Sequence, residues 1–573
     1  DSGFTDIVES AAGLTATSFV PTRPLEFSTT YYWRVRAVNT CGAGSYSAVY
    51  SFTTQLYPPG SLVVDSTADA VDQNPGDGFC RTAGGECTLR AAVQEGNASS
   101  DETTTIVLPA GAYLLTIPGA NEDAAATGDL DVTGNLLILG DSAPLAVIDG
   151  NGTVTGDRVF HVLAGGEATI SGVTIRGGRA NDGGGLYNSG TATLTAVTLT
   201  ANTSTGTLFA GGGAIINKGT LLVTDSAIHN NTSGDRGAAI YNTPSTAQAT
   251  VINSTLSSNA AGYGGALFDD GATLTLTGST ITLNTASHDG GGAYLQAGGT
   301  LRTGQTIWAG NSGGAPNCRT VTGSLLSDGY NILGNNSGCS FTSTTGDQIG
   351  TPSNPIDPRL GPLGDNGGPT FTHALSSGSP AIDTGDPTNC LPFDQRGEPR
   401  PQDGDGNGSA ICDIGAYEAG PGQASLFCSS PNLAIPDNNP AGVNDYLTLS
   451  ETGSITDLDV YLLASHTWVG DLLFTLEHVA TGTTITLIDR PGAPPAPSCD
   501  GDDIDATLDD EAATLVEEAC APTTPTIFGS FIPYNSLSAF DGEDLSGGWR
   551  LTAADLSSGD TGTLTQWCLV VER

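Results

Sequence analysis

Gly184-Gly-Leu-Tyr-Asn188, Gly213-Ala-Ile-Ile-Asn217, Ala238-Ala-Ile-Tyr-Asn242, Gly265-Ala-Leu-Phe-Asp269 and Gly292-Ala-Tyr-Leu-Gln296 are five versions of one pentapeptide, at steps of 29, 25, 27 and 27 residues. Each is followed by an alternating Thr/Leu/Val run such as Thr191-Ala-Thr-Leu-Thr-Ala-Val-Thr-Leu199. Each run ends near an asparagine: Asn202, Asn231, Asn259, Asn284 and Asn311, at steps of 29, 28, 25 and 27. A repeat of this length with strand-like alternation is one coil of a parallel β-solenoid, because short strands bury their inward face only by stacking on the next coil. An asparagine at the same corner of successive coils can stack and hydrogen-bond along the axis while tolerating the turn conformation. The glycines supply positive-φ bends between faces.

Working outward, the 573 residues carry 61 Asp+Glu against 18 Lys+Arg, a formal charge of −43. Lys218 is the single lysine, and methionine is absent. Nucleic-acid binding needs a basic footprint, so this balance excludes it; docking on an anionic membrane surface is disfavoured for the same reason. The longest apolar stretches, such as Leu136 to Leu139, fall far short of the roughly 20 residues of a membrane span. At about 150 residues per domain the length implies three to four domains. Most of the 11 cysteines fall in close pairs, Cys80/Cys87, Cys318/Cys339, Cys390/Cys412 and Cys499/Cys520, without zinc-site spacing. Short closed loops in an acidic chain read as disulfides, and the expected location is extracellular or at the cell surface.

An open solenoid end must be covered, and Thr88-Leu-Arg-Ala-Ala-Val-Gln-Glu95 is the expected cap helix (88–95). From there Cys87-Thr-Leu-Arg-Ala-Ala-Val, Gly128-Asp-Leu-Asp131, Val147-Ile-Asp-Gly-Asn-Gly152, Asp365-Asn-Gly-Gly-Pro-Thr370, Ser379-Pro-Ala-Ile-Asp383, Asp394-Gln-Arg-Gly397 and Cys412-Asp-Ile-Gly-Ala-Tyr-Glu418 follow in order. Over some 350 residues the chain resembles the bacterial right-handed β-helix proteins called choice-of-anchor Q, which are surface or secreted proteins. Ser465-His-Thr-Trp-Val-Gly-Asp-Leu-Leu-Phe-Thr-Leu476, Cys499-Asp-Gly-Asp-Asp-Ile-Asp-Ala-Thr-Leu-Asp-Asp-Glu511 and Gly548-Trp-Arg-Leu-Thr552 resemble the P domain that follows subtilisin-like proprotein convertases, a non-catalytic sandwich. That resemblance implies a Cys428–Cys568 bond between first and last strands. Leu25 to Asn39, with Trp33, Val35 and Ala37 on one face and Tyr31 as a corner tyrosine, resembles the later strands of a fibronectin type III domain. Cys41 is left as the odd cysteine. The expected fold class is all-β: a right-handed parallel β-helix (solenoid) flanked by two β-sandwich modules. The expected domains are a partial fibronectin-like piece (1–57), the β-helix (58–420, with a choice-of-anchor-Q-like region at 315–420) and the P-domain-like sandwich (421–573).

Calcium is the expected ligand. Asp403-Gly-Asp405-Gly-Asn407-Gly408 places oxygen ligands on alternate residues with glycines for the bend, like the start of a calcium loop. Asp500, Asp502, Asp503, Asp505, Asp509, Asp510 and Glu511 crowd twelve residues, a cost that a cation would offset. Glu122, Asp123, Asp129 and Asp131 form a third group. Catalytic motifs fare worse. Gly310-Asn-Ser-Gly-Gly314 fits a nucleophile pattern, but Asn311 belongs to the asparagine series, so Ser312 sits on the turn of a coil. The histidines His161, His229, His288, His373, His466 and His478 are scattered and read as packing or surface residues. The repeats carry acids (Asp182, Asp225, Asp235, Asp269, Asp270, Asp289) and a few bases (Arg176, Arg179, Lys218, Arg236), yet an acidic polysaccharide would be repelled by the net charge.

These residues lead us to expect a non-enzymatic, calcium-stabilised structural or adhesive surface protein. Its expected partner is itself, in a head-to-tail filament that covers the open strand edges of the incomplete N-terminal sandwich; a glycan or cell surface is a further candidate partner. The alternatives are a secreted carbohydrate-active β-helix enzyme and a processed C-terminal part of a secreted protease precursor.

Overall fold

The computed structural model describes residues 30–36, 38–39, 42–43, 46–53, 60–99, 103–120, 122–405, 407–420, 425–449, 451–492, 499–521 and 524–572. The pentapeptide repeats and the runs that follow them become strands of three long parallel sheets of 11, 10 and 8 strands, joined by a five-stranded sheet of two-residue strands. The chain visits each sheet once per coil, so neighbouring strands lie one repeat apart in sequence. The alternation in Thr191–Thr195 puts Ala192 and Leu194 inside, and these residues pair in register with Leu221 and Val223 of Thr220–Thr224. Ile138, Ile170, Leu194, Val223, Val251 and Leu276 form one column along the axis, coil upon coil, each fully buried. Burying such a side chain is worth about 1.5–3 kcal/mol, and a slip of one residue would turn the whole column outward.

The corners follow from two residue types. Gly183, Gly212, Gly237, Gly264 and Gly290 all stand at positive φ just ahead of the repeated pentapeptide strands, where a β-carbon would meet backbone of the same turn. Asn202, Asn231, Asn259, Asn284 and Asn311 form the expected ladder, with Nδ2-to-Oδ1 distances of 3.1, 3.0, 2.9 and 2.9 Å. Each Oδ1 also accepts the backbone N–H of the asparagine below it, as in Asn231 N to Asn259 Oδ1 at 3.0 Å. The buried amides are thereby fully used. A second ladder runs through the ends of the pentapeptides: Asn188 to Asn217 and Asn217 to Asn242, both at 2.8 Å, with Asp269 next in register.

The cap helix spans Leu89–Ala98, three residues beyond the expected end, and Thr88 caps it by accepting from Ala91 N. Leu89, Ala92 and Val93 close the solenoid core. Arg90 is buried with its guanidinium on Asp69 and on the carbonyls of Ala125, Gly128 and Asp129, which ties the helix to the first coils. At the far end, residues 356–405 and 407–419 fold back over the outer face of the ten-stranded sheet. Ile307, Ala309 and Ile332 of the coils share a core with Leu375, Ile382, Ile414 and Tyr417.

The C-terminal region is two antiparallel sheets face to face, of six and four strands, with one parallel pair between Ile504–Leu508 and Ile527–Phe531. Trp549, Trp567, Phe474 and Phe540 fill its core. The structure joins Cys80–Cys87, Cys318–Cys339, Cys390–Cys412, Cys499–Cys520 and Cys428–Cys568. Near the N-terminus Thr30–Trp33 pairs antiparallel with Tyr50–Thr53, and Trp33 stacks on Tyr50 at 5.0 Å. The alternating face expected to include Trp33 and Val35 is not buried: these residues are 44% and 55% exposed. Cys41 and Ala37 lie outside the described residues. No described helix is long and apolar enough to cross a membrane.

Candidate functional site

Asp403 and Asp405 lie in the cover of the ten-stranded sheet. Asp403 and Asp405 meet Asp383, with one oxygen of each within 4.8 Å of the others. Asp383 comes from the Ser379-Pro-Ala-Ile-Asp383 turn and receives the backbone N–H groups of Asp405 (2.9 Å) and Ile411 (3.3 Å). The Cys390–Cys412 bond clamps the chain one residue from Ile411. Asp403 accepts Gly408 N through Oδ2, while its Oδ1 is buried without a hydrogen-bond partner. Burial raises the Asp383 carboxyl above its usual range; the two N–H groups pull it back, and Asp405 and Asp403 push it up further. Three carboxylates and an unsatisfied oxygen suit a hard divalent cation. Asn407 does not join them: its Oδ1 accepts Ser409 N and its Nδ2 donates to Asp405.

The acidic run at 500–511 is dispersed. Asp505 accepts the Tyr461 hydroxyl at 2.9 Å, Asp503 accepts His466 N at 3.0 Å, and Asp510 receives Leu537 N and Ser538 N at 2.9 Å. Among the described residues no three of Asp500, Asp502, Asp503, Asp505, Asp509 and Asp510 converge at ligand distance. Alternation is the reason: strand Ile504–Leu508 sends Asp505 to one face, and turns place the rest on different loops. Glu511 instead joins Asp457 and Asp459. Asp459 has a buried oxygen without a partner, and its carboxyl is pushed up to about 8 by burial first and then by Asp509, Asp457, Glu511 and Glu572.

Ser312 Oγ bonds Thr285 Oγ1 at 3.0 Å and, among the described residues, meets no histidine. A serine–histidine pair that sequence spacing hides does form: Ser257 Oγ lies 2.9 Å from His373 Nε2, whose Nδ1 is 2.7 Å from Gly361 O. Ser257 is fully buried and His373 is 2% exposed beneath the cover, so no substrate reaches them. Burial lowers His373 and His229 to about 4, which keeps both neutral in packing roles. Three of the four bases of the repeats are engaged: Arg176 with Asp149 and Arg236 with Asp270, both at 2.9 Å, and Lys218 with the Tyr187 hydroxyl at 2.5 Å; Arg179 is exposed.

Sequence spacing also missed an aromatic row. Tyr187, Ile216, Tyr241, Phe268 and Tyr294 are in register on the eight-stranded sheet, and Phe268 stacks on Tyr294 at 5.1 Å. Tyr263 and His288 stack at 4.6 Å beside it. Tyr241 and Phe268 are buried, while Tyr187, Tyr263 and Tyr294 keep part of their surface in solvent.

No family model matches the chain, and no curated protein does. Among solved structures it is similar to the tailspike protein of the Acinetobacter phage vB_ApiP_P1, at 11% identity over 90% of this chain and 89% of that one, with a TM-score of 0.28. It is also similar to the serine protease of Aeromonas sobria, at 17% identity over 27% of this chain and 28% of that one, with a TM-score of 0.17. The chain thus spans about a quarter of the protease. At these scores neither likeness bears on what the chain does.

Proposed function

We propose that this chain is a structural or adhesive component of a bacterial surface, secreted and stabilised by calcium. The observation that carries the reading is the core column and the two side-chain ladders passing from coil to coil, closed by a cap helix at one end and covered along one face. Polar side chains at repeated positions are spent on holding coils together. Ser257, Ser312, His229, His373 and most of the bases that could do chemistry are spent on packing, hydrogen bonds and ion pairs. Five disulfides suit an oxidising compartment. We read the solenoid as a choice-of-anchor-Q β-helix and the C-terminal sandwich as a P domain that serves as a non-catalytic module. Asp383, Asp403 and Asp405 are the residues we assign to calcium, which would bridge the Asp383 turn and the following loop.

Head-to-tail self-association belongs to the same reading. Trp33, Tyr50 and Phe52 stand 44–52% exposed on the N-terminal ladder, and the sandwich ends in the long edge strand Asn439–Leu449 with Tyr446 58% exposed. Such surfaces pair readily in water. A glycan-binding role is supported by the partly exposed tyrosines of the aromatic row, which offer flat faces to sugar rings. Immunogold labelling of intact cells, with negative-stain imaging of shed material, tests the proposal. Label on the surface and regular assemblies are expected; label confined to the cytoplasm would refute it.

A further inference from the structure

The group of acids at the first coils differs from the two oxygen-only clusters because the fold adds a histidine. Strand Phe160–Val162 stacks on Leu130–Val132 with His161 in register with Asp131. Asp123 arrives from the loop that Arg90 and Glu122 hold in place. Arg90 binds the carbonyls of Ala125, Gly128 and Asp129, and the Glu122 carboxylate takes the N–H groups of Ala124, Ala126 and Thr127 at 2.9, 2.5 and 2.7 Å. Glu122 is therefore occupied, whereas Asp123 is left free to point outward.

The His161 ring nitrogen Nδ1 lies 3.3 Å from Asp131 Oδ1 and 3.7 Å from Asp123 Oδ1. Asp131 is fully buried, and that oxygen has no hydrogen-bond partner although its Oδ2 accepts Ala125 N at 2.8 Å. A buried, unsatisfied carboxylate oxygen is costly unless something positive occupies the position in front of it. The Tyr187 ring packs edge-on against the imidazole at 5.0 Å and fixes its plane. The neighbouring cation, Arg158, lies 3.8 Å from Asp129 and from Asp157, so it balances those two carboxylates rather than the triad. A tetrahedral zinc ion, with bonds of about 2.0 Å, holds its ligand atoms about 3.3 Å apart. We infer that Asp123, Asp131 and His161 form a binding site for a divalent transition-metal ion, with zinc as the best-fitting species.

The imidazole decides the class. Calcium takes oxygen ligands, whereas one nitrogen with two carboxylates suits zinc and its neighbours in the first transition row. The ion reaches the site from solvent, since the Asp123 side chain is 68% exposed. Three protein ligands leave a fourth position for water. Bound there, the metal would fasten the Asp123 loop to the first two coils beside the cap helix.

The full chain, stripped with chelator and then saturated with calcium to fill oxygen-only sites, is titrated with Zn2+ by calorimetry and with Co2+ by visible absorption. One equivalent of each ion is expected, with a cobalt spectrum that reports nitrogen coordination. His161→Gln and the exposed Asp123→Asn should each weaken binding at least tenfold, and Asp405→Asn should leave it unchanged. Asp123→Asn removes a solvent-facing carboxylate, so folding is not at stake for it, and circular dichroism checks the other variants. Failure of the wild-type chain to bind either ion, or tenfold-unaltered binding by Asp123→Asn and His161→Gln, would overturn the assignment and leave a plain His161–Asp131 contact.

Discussion

Asp269 occupies the position that Asn188, Asn217 and Asn242 hold in the coils before it, yet it is a carboxyl where they are amides. It is 1% exposed, its Oδ1 accepts Ala272 N at 2.8 Å and its Oδ2 has no partner. Burial pushes its pKa up to about 7; the N–H of Ala272 and the side chain of Asn242 oppose the rise, and Asp270 adds to it. The folded chain therefore holds a proton that the unfolded chain has already lost near pH 4. This contribution to stability is complete below the unfolded pKa and is lost as the pH rises through about 7. Asp269→Asn should raise the melting temperature at pH 8–9 and leave it unchanged near pH 4, measured by thermal melts across that range; an equal effect at both ends would contradict the account. Residue-level chemistry was the least legible part of the sequence. Asp403 and Asp405 announced themselves by spacing, but Asp383 lies twenty residues away and is brought in by a turn. The approach of Asp131 and Asp123 to the His161 ring was not legible either, because a whole coil separates them from it in sequence.

At the scale of elements, the ladder and the cross-links carry different loads. Asn259 donates to Asn284 Oδ1, Ile228 O and Ser257 O, and accepts from Asn231 through both Nδ2 and N. Asn259→Ala would strand several buried polar groups at once, at about 1–3 kcal/mol for each group left unpaired. Urea denaturation should show a loss on the order of 3 kcal/mol or more, against a negligible change for the exposed Asn181→Ala. The disulfides differ by the chain they close. Cys428–Cys568 spans 140 residues and Cys80–Cys87 spans 7, which in the chain-entropy model gives about 5 against about 2 kcal/mol. Replacing both cysteines of the first pair by serine should therefore lower the sandwich's urea midpoint more than the same change in the second lowers that of the solenoid. The repeat made the coils legible because period-2 alternation and recurring asparagines both depend on stacking. The dispersal of the 500–511 acids was not legible, since composition says nothing of which face a strand presents.

At the scale of the whole molecule, stability is expected to depend on calcium. A ligand that binds only the folded state adds about 2.7 kcal/mol at a hundredfold excess over its Kd. A calcium-selective chelator should lower the melting temperature by a few degrees, added calcium should restore it, and Asp403→Asn should abolish the difference. An unchanged melt in chelator would leave Asp383, Asp403 and Asp405 as an unoccupied acidic turn. The order of solenoid and sandwich could be read along the chain because each has its own periodicity. The cover formed by residues 356–405 and 407–419 could not, since it uses few regular strands and reaches the coils through isolated contacts such as Thr255 to Gln395 at 2.7 Å and Ser257 to His373. Coils stacked in one register and the proposed oxidising exterior meet in the cysteine pairing. Non-reducing peptide mapping of the native protein tests them together. It should return Cys80 with Cys87, Cys318 with Cys339, Cys390 with Cys412, Cys499 with Cys520 and Cys428 with Cys568; free thiols at these positions, or exchanged partners, would contradict it.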